Sequence, residues 1–259
     1  MPSQKELRFF DQTEKYERGL GYYESLFDGR DGEQEIGEAS PPYWNKGAIF
    51  DREREYTWNP ENDAPTRIQQ AYPDLKIIVS LRNPVSRMSS QYWKNVRQGR
   101  EHASSLYEAV QEELEGTRDP VHSEICWVYK NSYSKHLEKW FDLYDRKSMK
   151  VLIFEEWTQK PEKHVREIFR FLDVNDGVSL NSPSQRRNRS RSPRSPLLHR
   201  LTKKYLGGTR LESYVKRYNL RQGRPKPSDR ERHKFFQLFE EDIGKIELML
   251  ERSLDVWKP

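Results

Sequence analysis

A short run of β-branched residues that ends in an arginine constrains the fold of this chain most strongly. Residues 76–81 have the sequence KIIVSL, and such a continuous apolar run is typical of a strand buried on both faces in a parallel sheet. Asn83 and Pro84 follow at once, as a favourable N-cap and first residue of a helix that we expect to end at Gly99. The segment therefore predicts a strand–turn–helix unit with Arg82 at the carboxyl end of the strand.

Strands and amphipathic helices alternate along the rest of the chain. Residues 150–154 (KVLIF) predict a second buried strand, whereas the two prolines in residues 38–44 favour an extended piece. Helical spacing of apolar residues recurs at 16–27, 61–72, 105–116, 132–145, from Pro161 onward and from Phe235 to Leu254. This pattern predicts the α/β class, with a central parallel sheet flanked by helices. We expect one domain over residues 1–259, with a basic, loop-rich segment at 181–234 in which Arg, Ser and Pro dominate.

Composition narrows the classes of ligand and compartment. The formal net charge of +5 over 259 residues suits an anionic ligand. Cys126 is the single cysteine, so no intramolecular disulfide forms; it lies in an apolar run and is expected in the core. The single cysteine favours a reducing, cytoplasmic location. The alternative is the Golgi lumen, if an N-terminal anchor has been lost. No apolar run is long enough to span a membrane, and no metal-binding or Ser–His–Asp motif occurs.

The turn after the first buried strand has the chemistry of a phosphate site. Arg82 supplies a guanidinium, and the helix that follows presents its N-terminal amides and partial positive charge. Ser86 and Ser90 are four residues apart and therefore share one face of that helix. The residues alone leave open the simpler interpretation of ordinary strand-to-helix packing.

This segment resembles the 3′-phosphate-binding motif of PAPS-dependent sulfotransferases of the heparan-sulfate and bacterial carbohydrate type. That motif is R-[ND]-P with a serine eight residues after the arginine, and Arg82 and Ser90 match it. Residues 5–11 (KELRFFD) resemble the family's K-E-x-H-F-F-D segment, and residues 37–43 (GEASPPY) resemble its G-E-x-S-P-x-Y segment. The strand at 150–154, the terminal helix and Trp257 follow in the family's order, so the resemblance covers nearly the whole chain.

The resemblance implies a P-loop-NTPase-like three-layer fold and a definite reaction. The sulfo group would move from PAPS to a hydroxyl or amine acceptor, with a carbohydrate expected, and PAP would be the product, without a metal. Glu6 would be the general base, and Arg8, Glu38 and Tyr43 would bind the acceptor. Arg82 and Ser90 would hold the nucleotide.

The resemblance also places Arg186 and Arg187 in a loop that closes over the nucleotide, where either would reach the 3′-phosphate. Two positions depart from the family pattern. Arg8 stands where the family has a histidine, which replaces a proton-handling imidazole with a fixed cation, and Ala39 stands where some relatives have a lysine.

A third departure concerns the family's 5′-phosphosulfate loop, K-x-G-T-[TS], which precedes the K-E-x-H-F-F-D segment. Only five residues precede Glu6, and no such loop occurs elsewhere in the sequence. We therefore expect the first strand and this loop to be missing, either because the chain is a shortened version or because it is a degenerate relative. A non-catalytic, sulfotransferase-like nucleotide-binding or interaction protein is the alternative function. Nucleic-acid binding by the Arg/Ser-rich run 186–195 is disfavoured because no aromatic residues interleave with the charges.

Overall fold

A parallel pair of strands occurs where the sequence predicts one. The computed structural model describes residues 5–29, 32, 35–50, 56–118, 126–179 and 191–259. Its strands are β1 (Ala48–Phe50), β2 (Tyr56–Trp58), β3 (Ile77–Leu81), β4 (Met149–Ile153), β5 (Arg191–Pro193) and β6 (Leu220–Gln222). Strands β3 and β4 pair in parallel, from Ile77 opposite Met149 to Leu81 opposite Ile153. The pairs β1–β2 and β5–β6 are antiparallel.

Helices account for most of the remaining regular structure. They are α1 (Thr13–Tyr16), α2 (Leu20–Ser25), α3 (Ala64–Ala71), α4 (Pro84–Gln98), α5 (Leu106–Leu114), α6 (Ser134–Leu143), α7 (Phe154–Trp157), α8 (Pro161–Leu172), α9 (Pro196–Leu206), α10 (Arg210–Asn219), α11 (Asp229–Gln237) and α12 (Glu240–Leu250). Helices together with a parallel strand pair confirm the predicted α/β class.

The chain divides into two compact units. Unit 1 contains Met1–Leu81 and Ser134–Pro183, and unit 2 contains Arg82–Tyr133 and Ser184–Pro259. Each unit combines two separate stretches of sequence, whereas the sequence suggests one continuous domain. The expectation of a single domain therefore stays a prediction.

Aromatic side chains and the strand pair form the core of unit 1. Phe9 and Phe10 are fully buried and meet edge to face, with ring centroids 4.9 Å apart. Leu81 at the end of β3 is buried, but Ile78 is 40% exposed. The prediction that β3 is buried on both faces is therefore wrong at Ile78 and Ser80, which are exposed on the same face of the strand.

Helix α4 forms the framework of unit 2, and the sequence predicts its bounds closely. The Asn83 side chain accepts a hydrogen bond from the Ser86 amide at 2.9 Å, and Gly99 ends the helix with φ of 73°. The buried face of α4 includes Met88 and Tyr92. The side chains that complete this core are Cys126, Trp127, Phe235, Phe239, Ile243, Ile246, Leu254 and Trp257. Burial of Cys126 confirms its predicted core position.

Three local predictions need correction. The helix expected at 16–27 is divided into α1 and α2 because Gly19, with φ of 82°, separates them. Residues Pro41–Trp44 form a 3-10 helix rather than an extended piece, since consecutive prolines also fit the first turn of a helix.

The segment 181–234 is not loop-rich in its described part, which contains α9, α10 and the start of α11. Ser195 and Thr209 cap the first two of these helices through their side chains, and the basic composition conceals this capping signal in the sequence.

Candidate functional site

The first turn of α4, in unit 2, has the predicted features of an anion site. The turn contains no acidic residue, and α4 is a helix of fifteen residues, so its N-terminal amides carry the partial positive charge of a long dipole. Ser86 and Ser90 are half-buried, whereas Val85, Met88 and Ser89 on the opposite face are buried. The two hydroxyl groups predicted to share one face are therefore both on the partly accessible side of the helix.

The backbone around Arg82 is held by residues distant in sequence. The Tyr133 hydroxyl donates to the Arg82 carbonyl oxygen at 2.9 Å, and the Tyr133 amide donates to the Asp242 carboxylate at 2.8 Å. The Asn83 side-chain amide donates to the Trp257 carbonyl oxygen at 2.7 Å. The α4 N-terminus is thus fixed by the C-terminal segment, which gives the terminal Trp257 a structural role.

Arg224 is a further site residue that sequence reasoning missed. It follows Gly223, whose φ is 80°, directly after β6, and its side chain is half-buried. Burial lowers the pKa of Arg224 below its ordinary value, and the positive charge of Arg82 lowers it further. Because perturbed pKa values cluster at functional sites, Arg224 is a candidate anion ligand beside Arg82. A Gly-Arg-Pro turn after a strand is the signal that singles out Arg224 in the sequence.

The two other arginines assigned to the nucleotide, Arg186 and Arg187, lie outside the described residues. Their assignment stays a prediction. Arg82, Ser90 and Arg224 are therefore the candidate anion-binding residues in the described part of unit 2.

The segment that carries Glu6, in unit 1, has an unusual backbone. Glu6 and Arg8 have φ of 59° and 55°, in the left-handed region that non-glycine residues seldom adopt. The other non-glycine residues with positive φ in the described residues, Asp173 and Glu251, simply end helices. Leu7, between Glu6 and Arg8, is buried, whereas Glu6 is exposed and its carboxylate hydrogen-bonds to no described residue. The strained turn thus buries Leu7 and leaves Glu6 accessible.

Side chains from residues 38–43 hold this turn in place. The Arg8 amide donates to the Ser40 hydroxyl at 3.0 Å, and the Phe9 amide donates to the Tyr43 hydroxyl at 2.7 Å. Ser40 in turn donates to the Glu38 carboxylate at 3.0 Å. Burial raises the pKa of Tyr43 well above its ordinary value, and the hydrogen bond to Glu38 raises it further. Glu38 and Tyr43, predicted to bind the acceptor, belong to the network that supports the Glu6 turn.

Arg8 pairs with a buried carboxylate. Its Nε and Nη2 atoms both donate to Asp11 Oδ2, at 3.0 and 2.6 Å, and this pairing raises the pKa of Arg8. Asp11 is buried, and its Oδ1 has no hydrogen-bond partner in the described residues. The Arg8 side chain is itself 42% exposed, and the Glu6 carboxylate also contributes to its raised pKa. The cation that replaces the family's histidine therefore lies next to both carboxylates.

Comparisons with known proteins show which family this chain resembles. The protein-family model of the sulfotransferase domain matches residues 63–190 of this chain. Heparan sulfate glucosamine 3-O-sulfotransferase 5 of Homo sapiens is 25% identical over 179 residues, which cover 68% of this chain and 46% of that protein. Heparan sulfate glucosamine 3-O-sulfotransferase 6 of Homo sapiens is 28% identical over 169 residues, covering 65% and 43%. Residues 63–190 thus belong to the sulfotransferase domain family.

A solved structure shows the same sulfotransferase fold. The crystal structure of a sulfotransferase from Alicyclobacillus acidocaldarius matches with a TM-score of 0.67 at 24% identity, over 100% of this chain and 87% of that chain. This match confirms the predicted α/β, P-loop-like fold, and the family model with the named relatives confirms the predicted resemblance to sulfotransferases. The chain spans less than half the length of the curated relatives named above.

The sulfotransferase match contains only part of the candidate site. Arg82 and Ser90 lie within residues 63–190, whereas Glu6, Arg8, Glu38, Tyr43 and Arg224 lie outside this segment. Within the described part of the chain, no cluster of His, Cys, Asp and Glu is suited to a metal ion. No helix there is both long and apolar enough to cross a bilayer.

Proposed function

We propose that the chain is part of a sulfotransferase that uses PAPS as donor and transfers the sulfo group to a hydroxyl or amine of a carbohydrate. The observation that carries this proposal is the α4 N-terminus, which has no acidic residue in its first turn, follows Arg82 and Asn83, and lies in the same unit as the half-buried Arg224. Two cations and a helix N-terminus fit the dianionic 3′-phosphate that distinguishes PAPS and PAP from ordinary adenine nucleotides. Ser90, on the accessible face of α4, adds a neutral donor.

Glu6 acts as the general base in this proposal. Its carboxylate removes the proton of the acceptor hydroxyl while the oxygen attacks sulfur, and the bond between sulfur and the 5′-phosphate oxygen of PAP breaks. The exposed Glu6 carboxylate, without a hydrogen-bond partner among the described residues, is available to take that proton. Its strained backbone supports a functional role.

Arg8 orients charge and does not transfer protons. A guanidinium stays protonated throughout the pH range of catalysis, so the relay that a histidine permits is absent here. Its exposed part is positioned beside Glu6, where it favours an acceptor or a sulfo group that carries negative charge.

The names of the relatives support a carbohydrate acceptor. Two of them are named as sulfotransferases of heparan sulfate glucosamine. Because the relatives are named as enzymes, the non-catalytic alternative is not favoured. The single cysteine supports a reducing, cytoplasmic location.

The test is to replace the base while the nucleotide site stays intact. The chain, together with any coding sequence upstream of Met1, is incubated with labelled PAPS and a panel of oligosaccharides. Glu6→Gln is expected to lower the transfer rate by about 100- to 10,000-fold, because it keeps the shape and removes the base. PAP affinity is expected to change little. Glu14→Gln, an equally exposed carboxylate in α1, is the matched control and should retain the rate.

Two results would contradict the proposal at different levels. A Glu6→Gln variant that keeps most of the transfer rate would show that Glu6 is not the base, and Glu38 would be the next candidate. Wild-type protein that binds PAP but transfers no sulfo group to any acceptor would contradict the enzymatic function itself.

A further inference from the structure

Helix α9 in unit 2 has the reverse of the usual amphipathic arrangement. Its buried residues are polar: His199 Nε2 lies 2.8 Å from the Arg97 carbonyl oxygen, and Thr202 is also buried. The Lys203 ammonium donates to the Gln98 carbonyl oxygen at 3.0 Å, which adds a second polar contact to the end of α4. A surface helix normally buries its apolar face and exposes its polar face. Since α9 is attached by polar groups, its apolar side chains point away from the protein.

Those outward side chains continue onto α10. On α9, Leu197, Leu198, Leu201 and Tyr205 are exposed, and on α10, Leu211, Tyr214 and Tyr218 are exposed; we call these seven residues the α9–α10 surface. Leu197 is 57% and Tyr205 is 68% exposed. The described residues contain sixteen exposed large hydrophobic side chains, and seven of them lie in this stretch of 22 residues. Such clustering marks an interaction site rather than the scattered apolar exposure of an ordinary surface.

The two helices form a closed lobe that holds the surface in place. At its base, β5 pairs with β6, and the Asn219 side chain donates to the Ser195 carbonyl oxygen at 3.0 Å and accepts from its amide at 2.9 Å. Between the helices, a shallow pocket of about 330 Å³ is lined by Leu198, Tyr214, Val215, Tyr218 and Asn219. The apolar side chains are therefore held in one arrangement by the fold around them.

The charge of the lobe is strongly positive. Residues 194–222 contain eight lysines or arginines and one acidic residue, Glu212. Next to the apolar pocket, a second pocket of about 450 Å³ is lined by Lys216, Arg217, Leu220, Arg221 and Gln222. Basic side chains thus border the apolar residues, which is the composition of a helix that lies in the interface of an anionic membrane.

We propose that the α9–α10 surface docks the protein on an anionic lipid bilayer. Its leucines and tyrosines enter the interface, and the lysines and arginines of the same lobe contact lipid phosphates. A second copy of the chain fits less well, because two such basic surfaces would repel each other. An acidic polysaccharide would use the basic residues and the tyrosine rings, but it gives no reason for the three exposed leucines of α9. This surface lies outside the residues matched to the sulfotransferase domain. The proposal does not depend on catalytic activity.

Vesicle flotation with the 259-residue chain tests the proposal. Vesicles of phosphatidylcholine are compared with vesicles that also contain phosphatidylglycerol, at low and at high salt. We expect binding only to the anionic vesicles, and weaker binding at high salt. The triple variant Leu197→Ser, Leu201→Ser, Leu211→Ser should lower the partition coefficient by at least about 10-fold, because three exposed apolar side chains are removed. Leu248→Ser, at an 80% exposed leucine on α12, is the matched control and should bind like the wild type.

Circular dichroism and thermal unfolding establish that the triple variant is folded, which is expected because its three leucines are exposed. If the triple variant still binds anionic vesicles, the proposal is wrong. The surface would then act by charge attraction alone, as it would towards an acidic polysaccharide. Failure of the wild type to float with anionic vesicles would also overturn it. A dimer that the wild type forms and the triple variant loses, without vesicle binding, would replace the bilayer with a second copy.

Discussion

Replacing Arg224 by methionine should change the stability of the free protein and its affinity for PAP in opposite directions. Methionine keeps a long apolar stem and removes the guanidinium. In the free protein, Arg224 is half-buried and close enough to Arg82 for the two charges to repel each other. The charge therefore destabilises the protein without ligand and becomes favourable only when an anion is bound.

The expected magnitudes follow from these two terms. Because Arg224 is only half-buried, solvent screens the repulsion, and its removal should raise the free energy of unfolding by about 0.5–1 kcal/mol. A charge-assisted hydrogen bond to the 3′-phosphate contributes about 1.5–3 kcal/mol. Its loss should weaken PAP binding by about 10- to 150-fold.

Two measurements on the same variant check the prediction. Urea unfolding without ligand gives the stability, and calorimetry compares PAP with adenosine 5′-phosphate, which lacks the 3′-phosphate. Arg224→Met should reduce the preference for PAP, and so should Arg82→Ala. The control is Arg194→Met, which removes the same charge from an exposed arginine of unit 2 and should leave the preference unchanged. An Arg224→Met variant that is less stable than the wild type, or that keeps the full preference for PAP, would refute the reasoning.

Two further predictions concern buried carboxylates. Arg8→Ala leaves the buried Asp11 carboxylate without its cation and should lower the free energy of unfolding, measured in urea, by about 2–3 kcal/mol. Arg8→His should lower it by less. Equal stability of Arg8→Ala and the wild type would contradict a stabilising pair. Glu113 accepts hydrogen bonds from the amides of Trp127, Val128 and Tyr129, and Glu113→Gln should cost about 1–3 kcal/mol. Burial raises the pKa of Glu113 in the folded protein. The free energy of unfolding of the wild type should therefore fall as the pH rises from the ordinary glutamate pKa through the raised pKa. A Glu113→Gln variant whose free energy of unfolding depends on pH in the same way would contradict this assignment.

The sequence predicts the α4 region well because its determinants are local. The Asn83 cap, Pro84 and Gly99 lie within a few residues of the helix ends that they define, and the structure places those ends where we expect them. A parallel sheet was also predicted, because apolar runs separated by helices favour crossover connections, and β3 and β4 do pair in parallel.

Features that depend on distant contacts were missed. The Gly-Arg-Pro turn marks Arg224 in the sequence, but its relation to Arg82, more than a hundred residues earlier in the chain, is visible only in the fold. Likewise, the helix α9 was missed within the segment predicted to be loop-rich, and only the contacts of His199 and Lys203 with α4 reveal which of its faces is buried. Periodicity shows that a helix has two faces, but it does not show which of them points inward.

The Glu6 turn illustrates how motif residues can act through the backbone. Two non-glycine residues in the left-handed region cost about 1–3 kcal/mol each, so the turn needs compensating interactions. Burial of Leu7 and the bonds from the Arg8 and Phe9 amides to the Ser40 and Tyr43 hydroxyls are such interactions. The sequence motif at 37–43 therefore supports the Glu6 turn, and acceptor binding by Glu38 and Tyr43 stays a prediction. Under the proposed function we expect the acceptor to meet Glu6 and the exposed part of Arg8, and we expect the charge of Arg8 to select among acceptors.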